Sequence, residues 1–197
     1  MMTTARTIEI VSYQARWVEE FRETSGALRA GLGHLALRID HIGSTSVPGL
    51  GAKDCVDIQV TVAAIQPSHA LAAACAAAGF QVRSGIIEDH RPPGDERPAA
   101  EWQKLFAREP EHARRTHIHV REAGRANQRY ALLFRDFLRA TRGAAAAYES
   151  VKRTLARLHP HDIESYLAVK DPVCDVLMAG AELWATAIAW QPGPSDA

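Results

Sequence analysis

The order of apolar and polar positions divides the chain into an αβ stretch and a mostly helical one. Ile8 to Val11 is a short apolar segment, read as a strand or a cap. Trp17, Val18, Phe21, Leu28 and Leu32 recur at near-helical spacing with Glu19, Glu20, Arg22 and Glu23 between them. That pattern predicts a surface helix with one buried stripe, ending near Gly31 and Gly33. Leu35 to Ile42 reads as a strand halted by Gly43. Val56 to Val62 alternates Val56, Ile58, Val60 and Val62 with Asp57, Gln59 and Thr61, a period-2 strand with one apolar face. Ala-rich Ser68 to Ala78 predicts a helix with Gly79 as its C-terminal cap, and Phe80 to Ile87 a third strand. Glu88 to Ala100, with three prolines, a glycine and many charges, reads as a mobile loop. Trp102 to Phe106 and Thr116 to Arg121 are two further strand candidates.

Beyond Gly124 the period changes to that of helices. Tyr130, Leu133, Phe134, Phe137 and Leu138 share a helical spacing, as do Tyr148, Val151, Leu155 and Leu158, and then Val176, Leu177, Leu183 and Trp184. Asp171-Pro172 has the form of an N-cap followed by a first-turn proline. Gln191 to Ala197 is expected to fray.

With 197 residues, 47% apolar and 23% charged, the chain has the size and polarity of one globular domain able to bury a core unaided. Lys+Arg and Asp+Glu both number 23. A coat for bulk nucleic acid normally carries a basic excess, so that class is disfavoured and only a local basic pocket stays open. The cysteines (Cys55, Cys75, Cys174) are odd in number and scattered, which suits neither a disulfide framework nor a zinc ribbon. None has a histidine next to it in sequence, so none is read as a nucleophile. No apolar run is long enough to span a bilayer, and Met1 to Arg6 does not lead into a signal segment. The expected setting is a reducing cytoplasm with no membrane partner.

The stretch His41-Ile-Gly-Ser-Thr-Ser-Val-Pro-Gly-Leu-Gly-Ala-Lys53-Asp-Cys-Val-Asp57-Ile-Gln59 carries the chemistry. A strand breaks at Gly43-Ser44, small residues follow, and a second strand presents Asp57. Gly43 allows close approach of backbone to a ligand. The amides of Gly43 to Thr45 and the Ser44 hydroxyl can cradle phosphate oxygens, and Asp57 can hold a divalent metal that bridges them. The same string also reads as a tight turn capped by Ser44, with Asp57 solvated.

In Thr116 to Arg121, alternation puts His117, His119 and Arg121 on one face. Two imidazoles at i and i+2 can share a metal or contact a phosphate beside Arg121; an ordinary polar sheet face is the alternative. If this row and the Asp57 row line one cleft, a carboxylate, two imidazoles and a guanidinium converge. Lys53, Lys104, Arg135, Arg139, Lys152 and Lys170 are further cations able to neutralise a polyphosphate, though most such side chains are simply solvated.

The segments His41 to Gln59, Thr116 to Val120, Asn127 to Leu138, Tyr148 to Leu155 and Tyr166 to Trp184 resemble the GrpB family, which has a nucleotidyltransferase-like fold. The chain looks most like the GrpB-type domain attached to actinobacterial dephospho-CoA kinases. No G-x-x-x-x-G-K-[ST] occurs, so phosphate-loop kinase chemistry is not expected. The resemblance implies an α+β fold: one domain over residues 1–197, with a mixed sheet flanked by helices at 8–124 and a helical part at 125–190 closing a cleft.

In the wider nucleotidyltransferase superfamily a Gly-Ser turn binds the triphosphate and a strand carrying Asp-x-Asp or Asp-x-Glu holds magnesium. Gly43 and Ser44 match the turn and Asp57 the first acid, but Gln59 stands in place of the second. Asp54, three residues before Asp57, faces away on a regular strand. The implied enzyme is a Mg2+-dependent nucleotidyltransferase acting between a nucleoside triphosphate and a small-molecule acceptor. Asp57 and His119 are its catalytic candidates and Asp57 its metal ligand. Gly43, Ser44, Thr45, Lys104, His117, Arg121 and Lys170 are its phosphate contacts. Two other readings stand beside it: a non-catalytic accessory module for a protein partner in coenzyme A biosynthesis, and a metal-dependent hydrolase built on His117 and His119.

Overall fold

The computed structural model describes residues 7–197. Helix α1 (Arg16–Leu32) leads into strand β1 (Arg38–Ile42), a 3-10 turn at Ser44–Ser46, strand β2 (Val56–Val62) and helix α2 (Ser68–Ala77). Strand β3 (Gln81–Val82), a 3-10 turn at Ala99–Trp102, strand β4 (Leu105–Arg108) and strand β5 (Thr116–Glu122) follow. Helices α3 (Ala126–Ala140), α4 (Arg142–Leu158) and α5 (Ile163–Ala187) complete the chain.

The five strands form one mixed sheet in the order β1-β2-β5-β4-β3. Only β2 and β5 run parallel; the other neighbours are antiparallel. The parallel pair is possible because a long excursion, α2 to β4, separates the two strands in sequence. The apolar row of β2 (Val56, Ile58, Val60, Val62) and Ile118 and Val120 of β5 are buried against Trp17, Phe21 and Leu28 of α1 and Leu71 and Cys75 of α2. Period-2 alternation then turns Asp57, Gln59, Thr61, His117, His119 and Arg121 to the opposite face. There the C-terminal helices build a second core, in which Leu133, Phe137 and Leu138 pack with Tyr148, Cys174 and Met178, and with Val47 and Leu50 from the loop after β1. The polar rows thus lie between a sheet and a helical layer.

Several sequence expectations are corrected. The proposed strand Phe80–Ile87 shrinks to Gln81–Val82, because only those residues pair with Arg108 and Ala107 at the sheet edge. The strand expected at Trp102–Phe106 begins at Leu105, with Trp102 in the preceding turn. The last helix does not start at Asp171-Pro172. Its N-cap is Asp162, which accepts from Ser165 N at 3.0 Å, and Pro172 lies inside its 25 residues. A mid-helix proline loses one backbone hydrogen bond, and burial of Tyr166 upstream and of Cys174 and Met178 downstream holds the helix on both sides of it.

The tail does not fray. Ser195 Oγ donates to Ile39 O and accepts from Ile39 N, both at 2.9 Å. Asp196 accepts from His41 N at 2.9 Å and from Arg135 at 2.7 Å. These bonds occupy the free edge of β1, which would otherwise present unpaired backbone groups. No helix among the described residues is long and apolar enough to cross a membrane.

Candidate functional site

β1 ends at Gly43, whose φ of 69° is a conformation side chains seldom adopt. A Cβ there would also stand 2.6 Å from Asp57 Oδ2. Glycine is therefore required twice, once by the bend and once by the carboxylate behind it. The Ser44–Ser46 turn is closed by Ser46 N and Oγ donating to Gly43 O, the hydroxyl at 2.6 Å. Thr45 turns inward, its hydroxyl 3.0 Å from His41 Nε2, so its side chain supports the bend rather than facing solvent. His41 stacks on Phe21 with ring centroids 4.8 Å apart. Burial lowers its pKa to about 4, leaving it neutral at physiological pH.

The loop from Val47 to Gly51 is fastened to α4. Gly51 N donates to Glu149 at 2.7 Å, and a Cβ on Gly51 would displace the ends of the Glu149 and Arg153 side chains. Lys152, one turn further along α4, donates to Gly51 O at 2.6 Å and to Ser44 Oγ at 2.8 Å, with its ammonium 4.6 Å from the centre of the Tyr148 ring. Lys152 is 3% exposed. Burial pulls its pKa down from 10.5 to about 7. Lys53 lies 5.0 Å from the centre of the Tyr166 ring, and burial lowers its pKa too. Neither lysine has a carboxylate within 4 Å among the described residues.

Parallel pairing sets Asp57 beside His117 and Gln59 beside His119. His117 Nδ1 is 3.0 Å from Asp57 Oδ1, and His119 Nε2 is 3.9 Å from the same oxygen. Burial alone would push the Asp57 carboxyl up, but the hydrogen-bonded His117 imidazole and the nearby His119 imidazole outweigh it and hold the group well below the usual range. His119 is itself lowered to about 4, first by burial and then by Arg121.

Gln59 is fully buried and both ends of its amide are engaged: Oε1 accepts from Arg121 at 2.6 Å and Nε2 donates to Gln128 O at 3.1 Å. It ties β2 to β5 and α3. Asp54 points to the far side, held by Arg16, Trp17 and Arg114, as a regular strand requires.

Asp89 carries a role that sequence reasoning missed. It lies in the loop read as mobile, yet it accepts a forked pair from Arg121 at 2.8 and 2.9 Å and single bonds from Lys104 at 2.7 Å and Asn127 at 3.0 Å. Burial would raise its carboxyl, and Arg121 and Lys104 overcome that and keep it ionised. Its backbone N donates to Trp102 O at 2.8 Å, and the neighbouring His90 reaches Asp175 of α5 at 2.9 Å. The start of the loop is thus clamped across the sheet and onto the helical layer. No local pattern distinguishes this aspartate from the other charges of its segment; only its neighbours in space do.

The outcome for the expected phosphate contacts is divided. Gly43, Ser44, Thr45, Lys104, His117 and Lys170 line a cavity of about 430 Å3 together with Lys53, Cys55, Asp57, His119, Tyr148 and Lys152. Arg121 lines a smaller adjoining lobe of about 270 Å3, which shares Gly43, Asp57, His119 and Lys170. Its guanidinium faces Asp89 and Gln59 rather than standing free, and Lys104 is paired with Asp89 and Lys170 with Asp171 at 2.6 Å. Arg135 and Arg139 are turned away, to Asp196 and to Ser46 O. Among the described residues, the cations left without an acidic partner in the larger lobe are therefore Lys53 and Lys152, on the side of the Gly43-Ser44 bend.

Comparison with known proteins agrees with this architecture. The profile of the GrpB protein family matches residues 7–179. The chain is 35% identical to the dephospho-CoA kinase of Mycobacterium tuberculosis over 93% of its own length and 48% of that protein. It is 33% identical to the dephospho-CoA kinase of Mycolicibacterium paratuberculosis over 94% of its length and 48% of that protein. It thus spans about half the length of these curated relatives. The UPF0157 protein SCO7215 of Streptomyces coelicolor is 38% identical, over 89% of this chain and 83% of that one. The crystal structure of conserved protein GrpB from Enterococcus faecalis superposes with a TM-score of 0.73 at 28% identity, covering 89% of this chain and 99% of that chain. On its sequence and on its mixed sheet with a helical layer, the chain belongs to the GrpB family.

Proposed function

We propose that the cleft between β2–β5 and the helical layer binds a nucleoside polyphosphate, with the phosphates on the Gly43-Ser44 bend. The observation that carries this reading is Lys152: a buried ammonium with no carboxylate beside it among the described residues, bonded to the Ser44 hydroxyl. A buried charge without a counter-charge is costly, and an anionic ligand supplies what the protein does not. Lys53, half-buried and lining the same cavity, adds a second cation with no carboxylate within 4 Å among the described residues. The bend itself supplies backbone amides and a hydroxyl, the groups that recognise phosphate oxygens.

The side chains do not fit a pair of magnesium ions. Two-metal transfer needs several carboxylates converging on the ions. Here Asp57, bonded to His117, is the one carboxylate lining the larger lobe among the described residues, Gln59 is spent between Arg121 and Gln128, and Asp89 is neutralised by Arg121 and Lys104. Binding of a nucleotide, without nucleotidyl transfer through two magnesium ions, is the activity these residues support.

The test is calorimetric titration of the wild type with ATP, GTP, CTP and dephospho-CoA, with and without magnesium, alongside Ser44→Ala. Binding of at least one ligand that weakens in Ser44→Ala supports the reading, and no binding of any of them removes it. Transfer of an α-labelled nucleotide to an acceptor would remove the restriction to binding.

A second reading is favoured by the matches to half of each dephospho-CoA kinase. In it the module assists a coenzyme A enzyme, either by contact or by holding dephospho-CoA, itself a nucleotide with a diphosphate. Addition of the chain to a separately produced kinase domain from the same cells would then change that domain's activity or solubility. Absence of both effects counts against it.

A further inference from the structure

Cys55 was passed over in sequence because no histidine adjoins it, yet the fold puts one beside it. It stands one residue before β2, two positions from Asp57, so both side chains leave the strand on the same side. The parallel register then delivers His117 from β5 directly next to Asp57. Donor atoms of Cys55, Asp57 and His117 all lie within 4.8 Å of one another. Asp57 Oδ1 and His117 Nδ1 are already 3.0 Å apart, close to the ligand spacing of about 3.3 Å that a tetrahedral ion with bonds near 2 Å imposes.

We propose that Cys55, Asp57 and His117 form a site for one borderline-soft divalent cation of the zinc class, with the fourth coordination position open to the 430 Å3 cavity. Three protein ligands and one open position are the arrangement of zinc sites that bind a substrate or water. A sulfur and a nitrogen donor select zinc, cobalt or iron over magnesium, which takes oxygen. The charges balance: a thiolate and a carboxylate neutralise the ion, and the thiol releases one proton as the metal–sulfur bond forms. His119, 3.9 Å from Asp57 Oδ1, stands where it can orient the carboxylate from outside the trio. The site stands on these three side chains alone and needs no nucleotide.

The test uses untagged, chelator-treated protein without nucleotide, titrated with Co2+ and followed by absorption. The expected result is one equivalent bound, with a thiolate-to-cobalt charge-transfer band in the near ultraviolet and the visible bands of a tetrahedral ion, all displaced by Zn2+ but not by Mg2+. The charge-transfer band disappears in Cys55→Ser and persists in Cys75→Ser, whose thiol sits in the opposite core. Zinc affinity falls in Cys55→Ser and in Asp57→Asn by more than the about 10- to 100-fold that loss of an outer partner of a ligand costs; the second variant keeps the test open should the first not fold. A cobalt spectrum without the charge-transfer band, or equal zinc affinity in wild type and both variants, overturns the site. Nucleotide titration in the presence of chelator is read separately, so loss of the metal site and loss of the nucleotide reading are distinguishable.

Discussion

Replacement of Lys152 by methionine separates the charge from the packing, since the methionine chain retains most of the lysine stem against Tyr148. Burial brings the Lys152 pKa from 10.5 to about 7, so near neutral pH only about half of the unliganded molecules carry this charge. A polyphosphate seated at Ser44 restores the charge, and binding takes up a proton. Above about pH 7.5 the terminal phosphate, with its last pKa near 6, no longer titrates, and the wild-type association constant falls with pH by up to about tenfold per unit on account of Lys152. In Lys152→Met that component of the slope is absent, and binding at pH 7 weakens by about 10- to 100-fold, the range for one charge-assisted bond.

The same residue sets a stability profile. Between pH 7 and 10.5 the unfolded chain binds the proton that the folded chain has lost, so stability rises with pH across that window. The rise attributable to Lys152 is of the order of 4 kcal/mol. The variant loses this dependence, while the orphaned Gly51 carbonyl subtracts about 1–3 kcal/mol at every pH. Calorimetry with ATP between about pH 7.5 and 9, and urea unfolding over the same range, read both effects as differences between wild type and variant. Identical pH slopes in the two proteins would refute the reasoning.

Three further outcomes follow from the geometry. Asp89→Ala leaves Arg121 and Lys104 buried without their shared carboxylate, and urea denaturation should show a loss of about 3–5 kcal/mol. Gly43→Ala forces a Cβ against Asp57 at a positive φ; it should cost about 1–3 kcal/mol and reduce nucleotide affinity by more than Ser44→Ala does in calorimetry. Gln59→Glu restores the acid of the superfamily pattern, but the side chain remains bonded to Arg121 and meets the Gln128 carbonyl. Assayed with α-labelled triphosphates and magnesium, it should gain no nucleotidyl transfer.

Regular alternation made the centre of the sheet legible. The Val56–Val62 strand has the bounds its pattern predicts, and its apolar row faces α1 and α2. The same alternation grouped Asp57 with Gln59 and Thr61, and His117 with His119 and Arg121, but whether the two rows share a cleft stayed open until the β2–β5 pairing set them side by side. What escaped depended on pairing between distant segments. Cys55 acquires His117 only through the β2–β5 register, and Asp89 acquires Arg121 only when its loop is folded back across the sheet. The final residues have no period at all, yet Ser195 and Asp196 find unpaired groups on β1. Pro172 misled for the opposite reason: Asp171-Pro172 has the local chemistry of a helix start, and burial on both sides of it overrides that preference.

A crystal structure with a non-hydrolysable triphosphate tests the central claim most directly. The account predicts phosphate oxygens within hydrogen-bonding distance of Ser44 Oγ and Lys152 Nζ, with the Lys53 ammonium also drawn toward them. Phosphates lodged instead in the groove of Lys53, Arg114, Arg115 and His161 on the other side of the Asp54 segment, with Ser44 and Lys152 still bonded only to each other and to Gly51, would contradict it.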